Sequence, residues 1–245
     1  MVSVIKPNWP APTNVHAYTT MRQGGYSQAS FAGLNLSTAV DDDDKAVARN
    51  RELLQTKLEL PKTPIWLQQT HATTVVDLGK SRRKHPIADA SFSRRKNVVC
   101  GVLTADCLPI LLCNHQGNCV AAIHAGWRGL AAGIIEATLD TLKLSAEETL
   151  AWLGPAIGAT AFEVGSEVYS AFIDQDPQTE AAFKPLTKDK WLADIYHLAR
   201  LKLAQNDVTH IYGGDYCTYT ESDKFYSYRR DGANTGRMAS LIWFT

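Results

Sequence analysis

Cys107 and His124 are the residues whose types and spacing most invite chemistry. Cys107 closes Thr104-Ala105-Asp106-Cys107, and His124 opens His124-Ala125-Gly126-Trp127-Arg128-Gly129. Two apolar runs lie between them, Leu108 to Cys113 and Cys119 to Ile123, joined by the turn signal Asn114-His115-Gln116-Gly117. Read as a β-hairpin with Cys113 opposite Asn118, the same register sets Cys107 opposite His124. Facing Cβ atoms in an antiparallel pair are about 4.5–5.5 Å apart, so thiol and imidazole could share a metal ion or act as nucleophile and base. A slip of one residue would send them to opposite faces.

A third donor would turn the pair into a metal site, because catalytic zinc commonly keeps three protein ligands and one open position. His71 is the best-placed candidate, following Ile65-Trp66-Leu67 in the polar setting of Gln68, Gln69 and Thr70. His16, His85, His115, His197 and His210 are weaker candidates, and spacing alone does not choose among them. Cys100, Cys113, Cys119 and Cys217 form no CxxC pair, which argues against a closed structural zinc site. Ala125 to Gly129 leads into a helix. Its glycines, free N–H groups and Arg128 suit a phosphate, a carboxylate or a developing oxyanion. The Lys-Ser/Thr ending of a P-loop is missing. Arg22 before Gly24-Gly25, and Arg229-Arg230 near Gly236-Arg237, are further candidates for gripping an anion with a two-pronged donor.

The elements that must position these residues follow from apolar patterning. Val15 to Met21, Ile65 to Leu67, Thr73 to Leu78, Val98 to Leu103 and Leu150 to Leu153 read as strands. Helices are expected over about 45–58, with Val47, Leu53, Leu54 and Leu58 on one face, and over 130–144, 161–173 and 192–205. Asp41 to Asp44 place carboxylates at the positive end of the first helix. Lys80 to His85 is a basic loop, and 209–245 alternates strands and turns. The expected architecture is α+β: a single domain over 1–245, with a mixed, largely antiparallel sheet covered by helices.

Lys+Arg and Asp+Glu balance at 25 each, so charge gives no case for nucleic acid or an anionic membrane as partner. No apolar run reaches the roughly 18–20 residues of a membrane span. The first residues show no charged stretch followed by an apolar one, and five cysteines are an odd number without scaffold density. A cytoplasmic location with reduced thiols is the expectation.

The chain resembles the bacterial YfiH family, also known as multicopper polyphenol oxidase or laccase-like proteins. The matching segments are Arg22 to Ser27, Leu34-Asn35-Leu36, Trp66 to His71, Ala88-Asp89-Ala90, Thr104 to Pro109, His124 to Gly129, Gly154 to Gly158 and Tyr228 to Asp231. One departure is Ala72, where the family often has glycine after the histidine. The resemblance implies a YfiH-like fold, with one zinc ion on His71, Cys107 and His124. It implies purine nucleosides and phosphate as partners: phosphorolysis of adenosine, guanosine, inosine and methylthioadenosine, plus adenosine deamination. Cys107, His124, Asp106 and Arg128 are the expected catalytic residues, with Asp106 carrying a proton. Arg22, Arg128 and Arg229 are the expected phosphate-binding residues. The older label would make copper the metal, but a single His-Cys-His set cannot ligate several coppers. Some relatives are tied to peptidoglycan-precursor editing, which leaves a Cys-His hydrolase acting on an amide as the other reading.

Overall fold

The structure is a computed structural model and describes residues 2–245. Its strands are β1 (Val4–Ile5), β2 (Val15–Thr20), β3 (Val75–Asp77), β4 (Ala90–Ser93), β5 (Cys100–Thr104), β6 (Leu108–Asn114), β7 (Val120–Ala125), β8 (Thr149–Leu153), β9 (Glu163–Gly165), β10 (Phe183–Thr187), β11 (Lys190–Ala193), β12 (His210–Gly213) and β13 (Met238–Phe244). The helices are α1 (Asp44–Lys57), α2 (Trp127–Ala131), α3 (Ile134–Leu142), α4 (Ser166–Ile173), α5 (Ile195–Gln205) and α6 (Tyr228–Asp231).

Six strands form a mixed sheet in the order β12-β8-β6-β7-β4-β3, with β12·β8 and β3·β4 parallel and the other pairs antiparallel. A second sheet, β1-β2-β13-β5, and a small third, β10-β11-β9, are antiparallel throughout. The α+β expectation holds, divided over three sheets. Strand alternation explains the layering, because successive side chains leave opposite faces. Leu108, Ile110 and Leu112 of β6 pack with Ile134, Ile135, Phe172 and Leu198 of α3, α4 and α5. Leu111 and Cys113 of the same strand pack against Val102 of β5 and Ile242 of β13. The far face of β13, Ala239, Leu241 and Trp243, meets Leu54 of α1. Helices therefore cover both outer faces of two stacked sheets. No helix among the described residues is long and apolar enough to cross a membrane.

The hairpin register differs from the expected one. Cys113 pairs with Val120 and Pro109 with His124, so the ladder is shifted by two residues. The Asn114 side chain is the cause: its Oδ1 accepts the N–H groups of Asn118 and Cys119, each at 3.1 Å, and so lengthens the turn. An even shift keeps every side chain on its expected face. Val120, Ala122 and His124 share the inter-sheet side, and Cys107 lies just beyond the first ladder pair, Leu108 and Ala125.

Other boundaries moved for local reasons. The helix expected over 130–144 breaks at Gly133, whose φ of +94° no helix accommodates, into α2 and α3. The segment expected to be helical from Ala161 first forms β9, which pairs with β11. Likewise, Lys190–Ala193 is a strand, and α5 begins only after Asp194 caps it by accepting the His197 N–H at 3.0 Å. Ile65 to Leu67 is not a strand; pairing there is limited to a Gln68–Ile87 bridge. The first helix matches expectation, with Asp43 as its N-cap and Asp44 in its first turn.

Asn50 on α1 is wholly buried and organises the loop above it. Its Oδ1 accepts the Tyr26 N–H at 2.7 Å, and its Nδ2 donates to Ser27 Oγ at 2.9 Å and to the Asn35 carbonyl at 2.8 Å. Replacing it with leucine strands these groups without water. Asn50→Leu is expected to destabilise the fold by about 2–3 kcal/mol, read as a lower urea midpoint at unchanged slope. An unchanged midpoint would remove Asn50 from this role.

Candidate functional site

Cys107 lies where the chain leaves the four-stranded sheet at β5 and enters the six-stranded sheet at β6. The connecting turn is tight: Asp106 adopts a φ of +83°. Its carboxylate holds that turn in place. Oδ1 accepts from Thr218 Oγ1 at 2.6 Å, and Oδ2 from Ser227 Oγ at 3.1 Å and the Arg229 N–H at 2.6 Å.

His124 stands on β7 and is 3% exposed. Its Nδ1 lies 2.8 Å from Oδ1 of Asp89, whose side chain is 0% exposed. An ionised carboxylate only accepts, so Nδ1 carries the proton and Nε2 keeps its lone pair for another partner. The same carboxylate accepts the N–H groups of Thr70 at 3.1 Å and of His71 and Ala72 at 2.9 Å each, and the Thr70 hydroxyl at 3.1 Å. Burial disfavours the charged form of Asp89, but hydrogen bonds from His124, Ala72 and Thr70 outweigh it and hold the pKa at about 2. Gripped by Asp89, His71 takes a φ of +60° on an exposed loop before β3.

His71 Nε2 stands 3.7 Å from Cys107 Sγ, and the donor atoms of His71, Cys107 and His124 all lie within 4.8 Å of one another. Zinc bonds to sulfur and imidazole at tetrahedral angles would put such donors about 3.5 Å apart. A Cβ on Gly126 would sit 2.7 Å from His71 Cδ2 and 3.0 Å from Cys107 Sγ, so only glycine leaves the space beside the donors open. Two imidazoles, a thiolate and a carboxylate behind them fit a single zinc ion.

Burial pushes the Cys107 thiol up, but His124 and His71 outweigh it and bring the pKa down to about 6. Burial opposes charging of His124, while the Cys107 thiolate and Asp89 raise its pKa to about 9. Without a metal these shifts favour a thiolate beside an imidazolium, whose Nε2 proton is the one a metal ion would displace. The structural thiols behave oppositely: burial raises Cys100, Cys113 and Cys119.

The donors open into a cleft of about 670 Å³ whose wall includes Trp127, Arg128, Phe162, Tyr228, Arg229 and Arg237. Asp106 also borders it. Arg128 pairs with Glu167 at 3.4 Å and stacks over Trp127. Arg229 donates to the Glu163 carbonyl at 2.7 Å and lies over Phe162. Arg22 does not line the cleft. Its guanidinium donates to the Ser222 carbonyl at 3.1 Å and lies over Tyr226, so it ties two loops together instead of facing the donors. Lys80 to His85 is a largely exposed loop and does not line the cleft.

Two residues were given no part by the sequence reading. Asp89 appeared only within a matching segment. The signal that could have found it is an acid flanked by alanines at the head of a short strand, Ala90–Ser93, a place where a buried carboxylate needs several donors. Arg237 was noted only as a neighbour of Arg229 and Arg230.

The sequence pattern of the family described as multi-copper polyphenol oxidoreductase laccase matches residues 16–245. A purine nucleoside phosphorylase of Pseudomonas aeruginosa is 50% identical over 98% of this chain and 97% of its own length. The purine nucleoside phosphorylase YfiH of Escherichia coli is 49% identical over 99% of each chain. Among solved structures, a Neisseria meningitidis protein superposes with a TM-score of 0.95 at 49% identity, covering 98% of each chain. YlmD from Geobacillus stearothermophilus superposes with a TM-score of 0.91 at 26% identity, covering 98% of this chain and 96% of that one.

Asp89→Asn keeps all three donors but loses the charge and one of the two accepting oxygens that fix them. Zinc affinity, measured by competition with a chromophoric chelator, is expected to fall about 10- to 100-fold; wild-type affinity would refute the orienting role. In metal-free protein, iodoacetamide is expected to alkylate Cys107 ahead of Cys100, Cys113 and Cys119. A thiol of lowered pKa is thiolate above that value and thiol below it. The Cys107 rate is therefore expected to hold as pH falls to about 6 and to drop below that. Alkylation spread evenly over the cysteines would contradict this.

Proposed function

We propose, from the premise that this chain belongs to the multi-copper polyphenol oxidoreductase laccase family, the YfiH-type proteins, that it is a zinc-dependent purine nucleoside phosphorylase. Its substrates in this reading are adenosine, guanosine, inosine and methylthioadenosine, and adenosine deamination is a second activity. The observation that carries the proposal is the convergence of His71, Cys107 and His124 in a cleft bordered by arginines and aromatic rings. Relatives that share about half of the residues over nearly the whole chain, and are named purine nucleoside phosphorylases, support the reaction. Laccase chemistry fits less well. It needs several coppers, each with its own ligands, and the three-donor cluster found among the described residues is this one.

A bound zinc ion supplies a Lewis acid and a water whose pKa falls to about 7. The chain's own contribution is to orient the donors through Asp89, keep Cys107 as thiolate and hold the reactants. Trp127 and Tyr228 offer aromatic faces to a purine. Arg128 and Arg229 bring positive charge for phosphate. In phosphorolysis a phosphate oxygen bonds to ribose C1′ while the bond from C1′ to the purine nitrogen breaks. The electron pair leaves with the purine, which takes the proton that hydrogen phosphate gives up. Deamination replaces the purine amino group with oxygen from water and releases ammonia. Asp106 acts in this reading as a brace and not as a proton carrier, because its two oxygens already accept three hydrogen bonds.

One observation favours a second reading. Asp89, His124 and Cys107 line up as carboxylate, imidazole and thiol, the arrangement of a Cys-His hydrolase acting on an amide such as a cell-wall precursor. The two readings separate on one assay. Zinc-loaded protein given inosine and phosphate is expected to release hypoxanthine and ribose 1-phosphate in equal amounts, and folded Cys107→Ala to release neither. Phosphorolysis by Cys107→Ala at the wild-type rate would overturn the site assignment. Amide hydrolysis by metal-free protein would transfer it to the hydrolase.

A further inference from the structure

The arginines near the cleft differ in what already occupies their donors. Arg22 is committed to Ser222 and Tyr226 outside it. Arg128 has a carboxylate partner in Glu167, and its side chain is 59% exposed. Arg229 is exposed and donates to a backbone carbonyl. Arg237 is different. It is half-buried, it lines the cleft, and among the described residues it forms no ion pair. Its Nη1 donates to the carbonyls of Thr235 at 2.7 Å and Gly236 at 3.0 Å, which fixes one edge of the guanidinium. Its Nε and Nη2 have no acceptor among the described residues.

The backbone of Arg237 is held as firmly. Its N–H donates to Asn35 Oδ1 at 2.9 Å, and its carbonyl accepts the Leu36 N–H at 3.4 Å. The next residue, Met238, pairs with Thr104 at the end of β5, so Arg237 stands beside the turn that carries Cys107. A guanidinium with one edge pinned and the other open to the cleft is fixed in orientation, and the water on its free edge is what an incoming anion displaces. Its free edge has the two-pronged form that matches phosphate.

We propose that Arg237 is the side chain that binds the phosphate co-substrate, through its unpaired Nε and Nη2 edge. This rests on the phosphorylase reading and gives that site its anion-binding group. Arg237 holds hydrogen phosphate while one of its oxygens forms the bond to C1′ and the purine departs with the proton. The phosphoryl group stays on Arg237 in the product, so ribose 1-phosphate binds there too. Deamination consumes water in place of phosphate and makes no use of this edge.

The test is a phosphate titration of zinc-loaded enzyme at fixed inosine. Arg237→Gln is expected to raise KM for phosphate about 10- to 100-fold, the equivalent of one or two charge-assisted hydrogen bonds. KM for inosine, zinc content and adenosine deamination should be unchanged. Arg237→Lys should recover part of the loss, and Arg22→Gln should leave KM for phosphate at the wild-type value. A folded Arg237→Gln with wild-type KM for phosphate overturns the proposal. If Arg237→Gln does not fold, Arg237→Lys decides by calorimetry with inorganic phosphate: weakened binding supports the assignment, and undiminished binding overturns it. The phosphorylase reading fails separately. Should the wild type bind phosphate without turning over inosine, loss of that binding in the Arg237 variants still upholds the anion site. A wild type that does not bind phosphate overturns it.

Discussion

A buried negative charge is tolerable only where donors surround it, and Asp89 has five of them. Those donors come from two separate places, the loop around His71 and the end of β7. The group that satisfies its own electrostatics therefore also fixes how far apart the two imidazoles stand. It sets the tautomer of His124 and holds His71 in a backbone conformation that a non-glycine residue seldom adopts. The site is thus positioned by a requirement of the folded chain itself.

The third donor depends on how the sheets are stacked. Cys107 is carried by the short link between β5 and β6, which is also the crossing from one sheet to the other. Side chains from both sheets fill the layer between them, and Ala105 and Leu108 on either side of the link are packed there and in the helical layer, so core packing places the link that carries the sulfur. Asp106 then pins the link to the C-terminal segment through Thr218, Ser227 and Arg229. That segment continues through Arg237 into β13, so one wall of the cleft and one of its donors share a support.

Much of this was legible in the sequence for a definite reason. Cysteine and histidine at strand ends stand out because those positions border loops, and the hairpin is written in two apolar runs about a polar turn. Side-chain parity survived even though the register did not, since period two is insensitive to an even slip. The shift itself was hidden because it turns on one side chain, Asn114, competing with the ladder for backbone N–H groups. Gly133 was readable as a glycine but not as a break, because a helix tolerates glycine unless tertiary packing demands a positive φ. Asp89 was hidden more deeply. Its partners lie 17 to 35 residues away, and nothing in a one-dimensional pattern marks an acid as the shared acceptor of two segments. Arg237 differs from Arg229 in being half-buried and from Arg230 in lacking a carboxylate partner, properties that emerge only once the chain has folded.

The three donors sit at graded depth: His71 exposed, Cys107 half-buried and His124 almost sealed. In the metal-binding reading, an ion arriving from solvent would meet them in sequence, trading hydration for protein ligands a few at a time. The outermost ligand rides on a loop whose conformation is strained and whose anchor is a single carboxylate. In the same reading, loading and release of the ion would be governed at that loop.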